Sequence, residues 1–259
     1  MRSNTWTPAA LSREAIPSSG LCWRFVEAQH LVSTTRLTDT LAEQQRLEAI
    51  IEDAKPRVPE ECRHLRYLLF TPFRYGAPYP KGSRFRRAGL TPGVFYGSET
   101  PETAATEIAF SRLLFFAESP AIPWPTTSAQ FTAFSVEAIT GRAIDLSLPP
   151  FRSLRSTWLN LTDYEACQQL ADAARSAAIE VIKYESARDP RGGKNIAILT
   201  CRVFGTTGPA NPQTWRIHFG ATGVRMFREF PGRTIAFDRT TFAADPRIAS
   251  MVWDRQTSS

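Results

Sequence analysis

The sequence has few of the residues that metal sites and nucleophilic hydrolases require. Histidine occurs three times, and no two of the four cysteines form a CxxC pair. Zinc sites need cysteine or histidine ligands at short, regular spacings. The GxSxG motif of serine hydrolases is also missing. We therefore expect neither a bound metal nor a serine-hydrolase triad.

Phosphate-binding loops and long apolar segments are also lacking. The segment "DPRGGKN" at 189–195 sets glycines beside a lysine but lacks the GxxxxGK[ST] spacing, and is more typical of a turn. No apolar run reaches the roughly 18 residues of a membrane span, and the first residues lack a signal-peptide core. We expect a cytoplasmic protein, not attached to a membrane, with reduced thiols at Cys22, Cys62, Cys167 and Cys201.

What is present is enough apolar sequence for one folded domain. The 259 residues are 42% hydrophobic and carry a net charge of +6, with a pI near 9.4. Such a charge favours an anionic partner, which can be nucleic acid, a phosphorylated metabolite or an acidic protein. No internal repeat or linker divides the chain. We expect a poorly structured arm at 1–20, a single catalytic domain at 21–250 and a tail at 251–259.

Three segments have helix signals. "TDTLAEQQRLEAIIEDAKP" has apolar residues at helical spacing, with Thr38 or Asp39 as the cap. Thr100 is an N-cap candidate for a helix from Pro101 to about Glu118. A capping box of Thr162 and Glu165 predicts a third helix.

The strand signals outnumber the helix signals and are interspersed with them. We expect strands in "LRYLLF", "GVFYG", "QFTAFSVE", "AIDL", "EVIKY", "NIAILTCRVF", "TWRIHF", "GVRMF" and "RTIAF". This mixed order predicts an α+β fold rather than a doubly wound parallel sheet.

Two kinds of charged residue could form a site. Guanidinium groups bind phosphate oxygens through paired donors, and arginine occurs at positions 24, 74, 84, 86 and 87. Glu107 lies at the rim of the apolar side of the second helix, where it can point into a cleft. A solvated basic surface and an exposed helix glutamate are the alternatives, and the residue pattern leaves them open.

Several stretches resemble one known family. "CWRFVEAQ", "TPFRYG", "GSRF", "GVFYGSETPETAATE" and "YESARDPRGGKNIAI" occur in the order of the RES domain family, from about Trp23 to Phe204. The spacing from Tyr96 to Glu107 also matches. Relative to compact members, the chain carries a helical insertion near 36–60. The family is that of the toxins of RES–Xre toxin–antitoxin systems, which degrade NAD or use it for ADP-ribosylation.

The resemblance implies roles for individual residues. Arg84, Tyr96, Glu107 and Ser186 match the family's catalytic motif positions, with Phe85 where tryptophan is usual. The second phosphate-binding arginine is either Arg24 or Arg74, and the same motifs add Tyr75 and Asn195 to the NAD-contacting set. Glu107 would stabilise the ribosyl cation, the arginines would hold the pyrophosphate, Tyr96 would contact nicotinamide or ribose, and Ser186 would hydrogen-bond the substrate.

The resemblance also implies a fold, an activity and a partner. The fold would be akin to ADP-ribosyltransferases, with a curved, split β core and peripheral helices. NAD would be a substrate, with no bound cofactor, and an Xre-type helix-turn-helix antitoxin would be the partner; nucleic acid would be contacted only through it. Glycohydrolase, phosphorylase and protein ADP-ribosyltransferase activities all fit, and homo-oligomerisation is compatible with them. A basic nucleic-acid-binding module and an inactive scaffold are the other hypotheses.

Overall fold

The computed structural model describes residues 6–27, 37–74, 82–89 and 91–255. These residues form an eight-stranded sheet with peripheral helices, which confirms the mixed helix and strand composition expected from the sequence. The strands are β1 (Ile16–Glu27), β2 (Phe95–Ser98), β3 (Ala129–Asp145), β4 (Val181–Glu185), β5 (Lys194–Ile198), β6 (Ala210–Gly220), β7 (Gly223–Arg228) and β8 (Arg233–Asp238). The helices are α1 (Pro8–Arg13), α2 (Leu41–Asp53), α3 (Tyr67–Arg74), α4 (Pro101–Glu118), α5 (Arg155–Trp158), α6 (Glu165–Ser176) and α7 (Pro246–Ala249).

The sheet closes on itself over five of its strands. The order is β1-β2-β5-β4-β3-β6-β7-β8, and β3 also pairs with β1. Strands β3 and β4 are parallel, whereas the other pairs are antiparallel. The long β3 makes this closure possible because it pairs with β1 along one edge and with β6 and then β4 along the other.

The closed strands have an inner and an outer face. The inner face is covered by apolar side chains from all five strands, and α3 packs against it. Its strand members are Cys22, Phe95, Phe134, Val136, Ala138, Ala143, Val181, Ile196 and Ile198. Since side chains alternate along a strand, Tyr96, Tyr184 and Asn195 lie on the outer face. One outer cluster packs α4 against β6 and β7, and the other includes α1 and α6.

The expectation of a poorly structured arm at 1–20 is wrong for residues 6–20. Thr7 caps α1, Leu11 is fully buried, and β1 pairs with β3 from Ile16 onward. The Ser and Pro content suggested a loop, but β3 supplies hydrogen-bond partners along the whole of β1. Long-range pairing of this kind overrides local composition.

Other local predictions had mixed outcomes. Helix α2 forms with Thr40 as N-cap in a capping box with Glu43, so the predicted helix is correct and its cap is shifted. "LRYLLF" was predicted as a strand, but it begins α3, because a short apolar run does not distinguish strand from buried helix. The predicted Thr162 cap is also wrong, since α6 begins at Glu165 after Tyr164 with no side-chain cap. No helix in the described ranges is both long enough and apolar enough to cross a bilayer.

The expectation of four reduced thiols is wrong for one pair. Cys62 and Cys201 form a disulfide with their Cα atoms 5.9 Å apart, although 139 residues separate them in sequence. Cys22 and Cys167 are free and buried, and burial raises the pKa of the Cys22 thiol to about 12. Proximity of this kind arises from the tertiary fold, so cysteine spacing could not reveal it.

Because of this disulfide, we expect the free energy of unfolding to depend on the redox conditions. Closing so long a loop restricts the unfolded chain, so the double variant Cys62→Ala/Cys201→Ala should lose about 4 kcal/mol of unfolding free energy. Urea unfolding of the oxidised proteins measures the difference. Treating the wild type with a thiol reductant should bring its midpoint close to that of the variant. If the wild-type urea midpoint is the same with and without the reductant, the disulfide does not form in solution.

Candidate active site

Helix α4 positions Glu107 over the outer face of the sheet. Thr100 accepts a hydrogen bond from the Thr103 amide, and Pro101 occupies the first turn, as predicted. Ala104, Ala105 and Ala109 are buried in the cluster shared with β6 and β7, which fixes the rotation of the helix. Glu107 is thereby left half-buried, beside the ends of β2, β4 and β5.

One carboxylate oxygen of Glu107 is held by two donors. Its Oε1 accepts hydrogen bonds from Ser186 Oγ at 2.6 Å and from Asn195 Nδ2 at 2.5 Å. The Asn195 side chain is itself oriented, because its Oδ1 accepts a bond from Ser98 Oγ at 2.7 Å. Within the part of the chain that the structure describes, Oε2 has no hydrogen-bond partner. The carboxylate is therefore fixed by one oxygen and available through the other.

The Ser186 hydroxyl has all its hydrogen-bonding capacity committed. It accepts from the backbone amides of Arg188 and Asp189, at 3.1 and 2.9 Å, while it donates to Glu107. Accepting from both amides leaves the hydroxyl proton directed at the carboxylate. In this arrangement Ser186 orients Glu107.

Gly193 allows the loop after β4 to approach the start of α4. A Cβ there would lie 2.0 Å from Thr103 Oγ1 and 2.6 Å from Asp189 Oδ2. These two atoms form a buried hydrogen bond of 2.8 Å. The glycine therefore maintains the contact between α4 and the 186–193 turn.

Gly193→Ala should break this contact. We expect a loss of about 2 kcal/mol of unfolding free energy from steric overlap and the broken buried hydrogen bond. Urea unfolding measures it. Gly141→Ala is the matched control, because no atom lies within 4 Å of the added Cβ. Equal midpoints for the two variants would contradict the packing role of Gly193.

Tyr96 attaches the 83–86 turn to β2. Its hydroxyl accepts from the Phe85 amide at 3.0 Å and hydrogen-bonds Ser83 Oγ at 2.8 Å. Burial raises the pKa of Tyr96 to about 12, so the hydroxyl stays protonated at neutral pH. The structure thus gives Tyr96 a role in holding the turn that carries Arg84, and its predicted contact with NAD stays a prediction.

Arg84 is buried and holds the main chain at 158–160. Its Nη1 donates to the Trp158 carbonyl at 2.5 Å and its Nη2 to the Asn160 carbonyl at 2.9 Å, while the guanidinium lies over the Tyr164 ring. Only 9% of the residue is exposed. Both terminal nitrogens are thus used within the protein, and the predicted phosphate contact is untested.

Arg188 belongs to the same cluster, although no sequence motif had pointed to it. Its Nη2 donates to the Leu161 carbonyl at 2.7 Å and to Tyr164 at 3.3 Å, and it pairs with Asp245 at 3.2 Å. The charges of Glu107 and Arg84 both act on Arg188, which places the three groups together. Its position two residues after Ser186 was the available signal.

The other predicted arginines lie elsewhere. The Arg24 guanidinium lies over the Phe95 ring, on the inner face, and donates to the Tyr96 carbonyl. Burial lowers the pKa of Arg24. Arg74 pairs with Glu52 and donates to the Pro56 carbonyl, so it binds the α2 segment. Neither arginine is brought to Glu107, and Tyr75 lies outside the described residues.

The residues around Glu107 do not line the main cavity found among the described residues. A cavity of about 590 Å³ is lined by Gly93, Ile179 and Leu199, next to the opposite ends of β2, β4 and β5. Its Arg142 and Arg175 donate to main-chain carbonyls. We place the candidate site at Glu107 because oriented polar groups from four segments converge there.

Comparison with known proteins identifies the family to which the chain belongs. Residues 57–220, more than half of the chain, match the model of the family described as the RES domain. The match includes Arg84, Glu107 and Ser186, but it begins after Arg24, later than the resemblance suggested. No curated protein sequence matches. A similar solved structure is the M. tuberculosis MbcT–MbcA toxin–antitoxin complex, with 13% identity, a TM-score of 0.43 and coverage of 91% of this chain and 96% of that chain.

Proposed function

Since the chain belongs to the RES domain family, we propose that it is an enzyme that cleaves the bond between nicotinamide and ribose in NAD. The observation that carries the proposal is the Glu107 carboxylate. One of its oxygens is fixed by Ser186 and Asn195, and the other is available to a substrate. The family resemblance supplies the identity of that substrate.

The chemistry suits a single oriented carboxylate. Nicotinamide leaves NAD as a neutral molecule with the electron pair of the broken C1′–N bond, so no strong acid is needed. Positive charge develops at C1′, as in glycosidase transition states. A carboxylate fixed beforehand stabilises that charge without reorganising during the reaction. Glu107 would do so through Oε2, which can also accept a ribose hydroxyl.

The acceptor determines the product. Water would form a C1′–O bond and lose a proton, giving ADP-ribose and making the enzyme a glycohydrolase. Inorganic phosphate would give ADP-ribose 1″-phosphate, as in a phosphorylase. A protein side chain would give an ADP-ribosylated protein. We propose the first two as the main activities, with transfer to protein as the alternative.

The neighbouring residues would support the carboxylate and the substrate. We propose that Ser186 and Asn195 keep Glu107 in place, and that Tyr96 holds the turn bearing Arg84. Arg84 would line the site while it holds segment 158–160. The closed, curved sheet would correspond to an ADP-ribosyltransferase-like core.

The family resemblance also leads us to propose a toxin whose partner is an Xre-type helix-turn-helix antitoxin. The antitoxin would cover the site and would provide any contact with nucleic acid. Co-expression with the adjacent gene product and co-purification test this. A neighbour that is no such protein, or that does not bind, would favour a stand-alone enzyme.

Product analysis tests the proposed reaction. Purified protein is incubated with NAD, with and without inorganic phosphate. The products are separated by chromatography and identified by mass spectrometry. Equal amounts of nicotinamide and ADP-ribose indicate hydrolysis, the 1″-phosphate indicates phosphorolysis, and added protein mass indicates transfer. Salt-sensitive oligonucleotide binding without NAD cleavage would instead support the nucleic-acid-binding module.

A further inference from the structure

Arg188 holds a buried nitrogen that the protein does not use. Its Nη1 is inaccessible to solvent and has no hydrogen-bond partner in the described ranges. Only 8% of the residue is exposed. A buried donor without a partner destabilises the folded protein, and more so when it is charged. Such a group in a folded protein calls for an explanation, and a functional site is one.

The guanidinium lies beside the reactive carboxylate. It stacks on the Phe110 ring at 4.1 Å from the centroid. Phe110 is three residues after Glu107 on α4, so the two side chains share one side of the helix. The Arg188 backbone amide also donates to the Ser186 hydroxyl that holds Glu107. Both the backbone and the side chain of Arg188 are therefore anchored at the site.

The neighbouring Arg247 is an arginine whose contacts are structural, and it can be compared with Arg188. Arg247 contacts the same two groups as Arg188, the Leu161 carbonyl and Asp245. Its Nε and Nη2 form a two-point pair with the Asp245 carboxylate, and this pair raises the pKa of Arg247 above its usual range. Arg188 shares that carboxylate at a longer distance, and burial lowers its pKa. Its charge is thus the less compensated of the two.

We propose that Arg188 binds a phosphate oxygen of the substrate through Nη1, which the substrate reaches by displacing the side chains that cover this nitrogen. This rests on the proposed function, which it deepens by assigning a phosphate-binding arginine that contacts the groups around Glu107. A phosphate oxygen matches the guanidinium in charge and hydrogen-bonding geometry. It would satisfy the unpaired donor and hold the substrate while Glu107 faces the ribose.

The phosphate can come from two sources. It can be the pyrophosphate of the dinucleotide or inorganic phosphate that acts as the acceptor. The carbonyls of residues 158–161 accept from Arg84, Arg188 and Arg247. A phosphate oxygen that binds Nη1 of Arg188 leaves these hydrogen bonds in place.

Binding measurements with two variants test the assignment. Arg188→Met keeps an unbranched apolar side chain but removes the guanidinium and its donors, whereas Arg247→Met removes a neighbouring charge. Calorimetry with NAD, pyrophosphate and inorganic phosphate gives Kd for each protein, and steady-state kinetics gives KM and kcat for NAD. We expect Arg188→Met to raise the Kd for pyrophosphate or inorganic phosphate about 10- to 100-fold. Arg247→Met should stay within about 3-fold of the wild type.

The outcomes separate this assignment from the proposed function. A larger KM for NAD with weaker pyrophosphate binding identifies the dinucleotide as the source, and weaker binding of inorganic phosphate alone identifies the acceptor. Wild-type Kd values in Arg188→Met overturn the assignment while NAD cleavage stands. If pyrophosphate binding depends on Arg188 but NAD is not cleaved, the assignment of Arg188 stands and the proposed function is rejected. Binding of no phosphate compound overturns the assignment.

The proposal can be tested even if the Arg188→Met variant does not fold. Thermal unfolding followed by circular dichroism shows whether Arg188→Met is folded. If it is not, Arg188→Lys decides, because lysine keeps a charge for Asp245 but lacks the planar fork of donors. We expect that variant to bind the phosphate compounds about 10-fold more weakly. Unchanged binding by a folded Arg188→Lys protein would overturn the assignment.

Discussion

Glu107→Gln should reduce NAD turnover about 1000-fold, the loss expected when a fixed group that stabilises transition-state charge is removed. Glutamine keeps the shape and can still contact Ser186 and Asn195, which hold Glu107 in the wild type. It lacks the negative charge that the ribosyl cation requires. The affinity for NAD should change little, because the interaction forms mainly in the transition state. Nicotinamide release at saturating NAD measures kcat.

Glu118→Gln is the matched control for this result. It makes the same substitution at the C-terminal residue of α4, 11 residues or about 16 Å from Glu107. Its turnover should stay within about 2-fold of the wild type, since a surface change of this kind has a small effect. Near-wild-type kcat in Glu107→Gln would remove this residue from the catalytic role.

Arg84→Met should lower the free energy of unfolding by about 3–5 kcal/mol. The substitution leaves the Trp158 and Asn160 carbonyls without their charged donors and removes the stacking on Tyr164. Hydrogen bonds to a charged group contribute about 1.5–3 kcal/mol each. Segment 158–160 would also lose its attachment next to the site, so activity should fall even where the protein folds. Urea unfolding and NAD turnover are the measurements.

Arg87→Met provides the comparison. Arg87 lies three residues away and makes ion pairs with Glu165 and Asp172, but these pairs are close to solvent. Exposed ion pairs contribute about 0–1 kcal/mol, so this variant should unfold near the wild-type midpoint. Similar midpoints for Arg84→Met and Arg87→Met would show that burial of Arg84 does not matter to stability.

Local sequence signals predicted the part of the site that depends on local structure. Thr100 and Pro101 specify the start of α4, and the apolar spacing after them fixes which side of the helix carries Glu107. Caps and periodicity act within a few residues, so they are readable from sequence. The partners of Glu107 are 79 and 88 residues away. The family resemblance singled out these two residues, whereas local pattern could not.

The remaining differences come from tertiary contacts. Arg24 matched a motif but lies on the inner face, because alternation along β1 and the pairing of β1 with β3 decide its side. Arg188 stands immediately before the segment 189–195 that was interpreted as a turn, and its importance depends on contacts with Phe110 and Asp245 from distant segments. The Cys62–Cys201 disulfide has the same origin. Long-range packing determines all three.

The most direct test is nicotinamide release from NAD by the purified wild type and by Glu107→Gln in one assay. We expect one nicotinamide for each ADP-ribosyl product from the wild type, and about 1000-fold slower release from the folded variant. Equal release rates from the two proteins, or no release by the wild type with water, phosphate or protein as acceptor, would contradict the account.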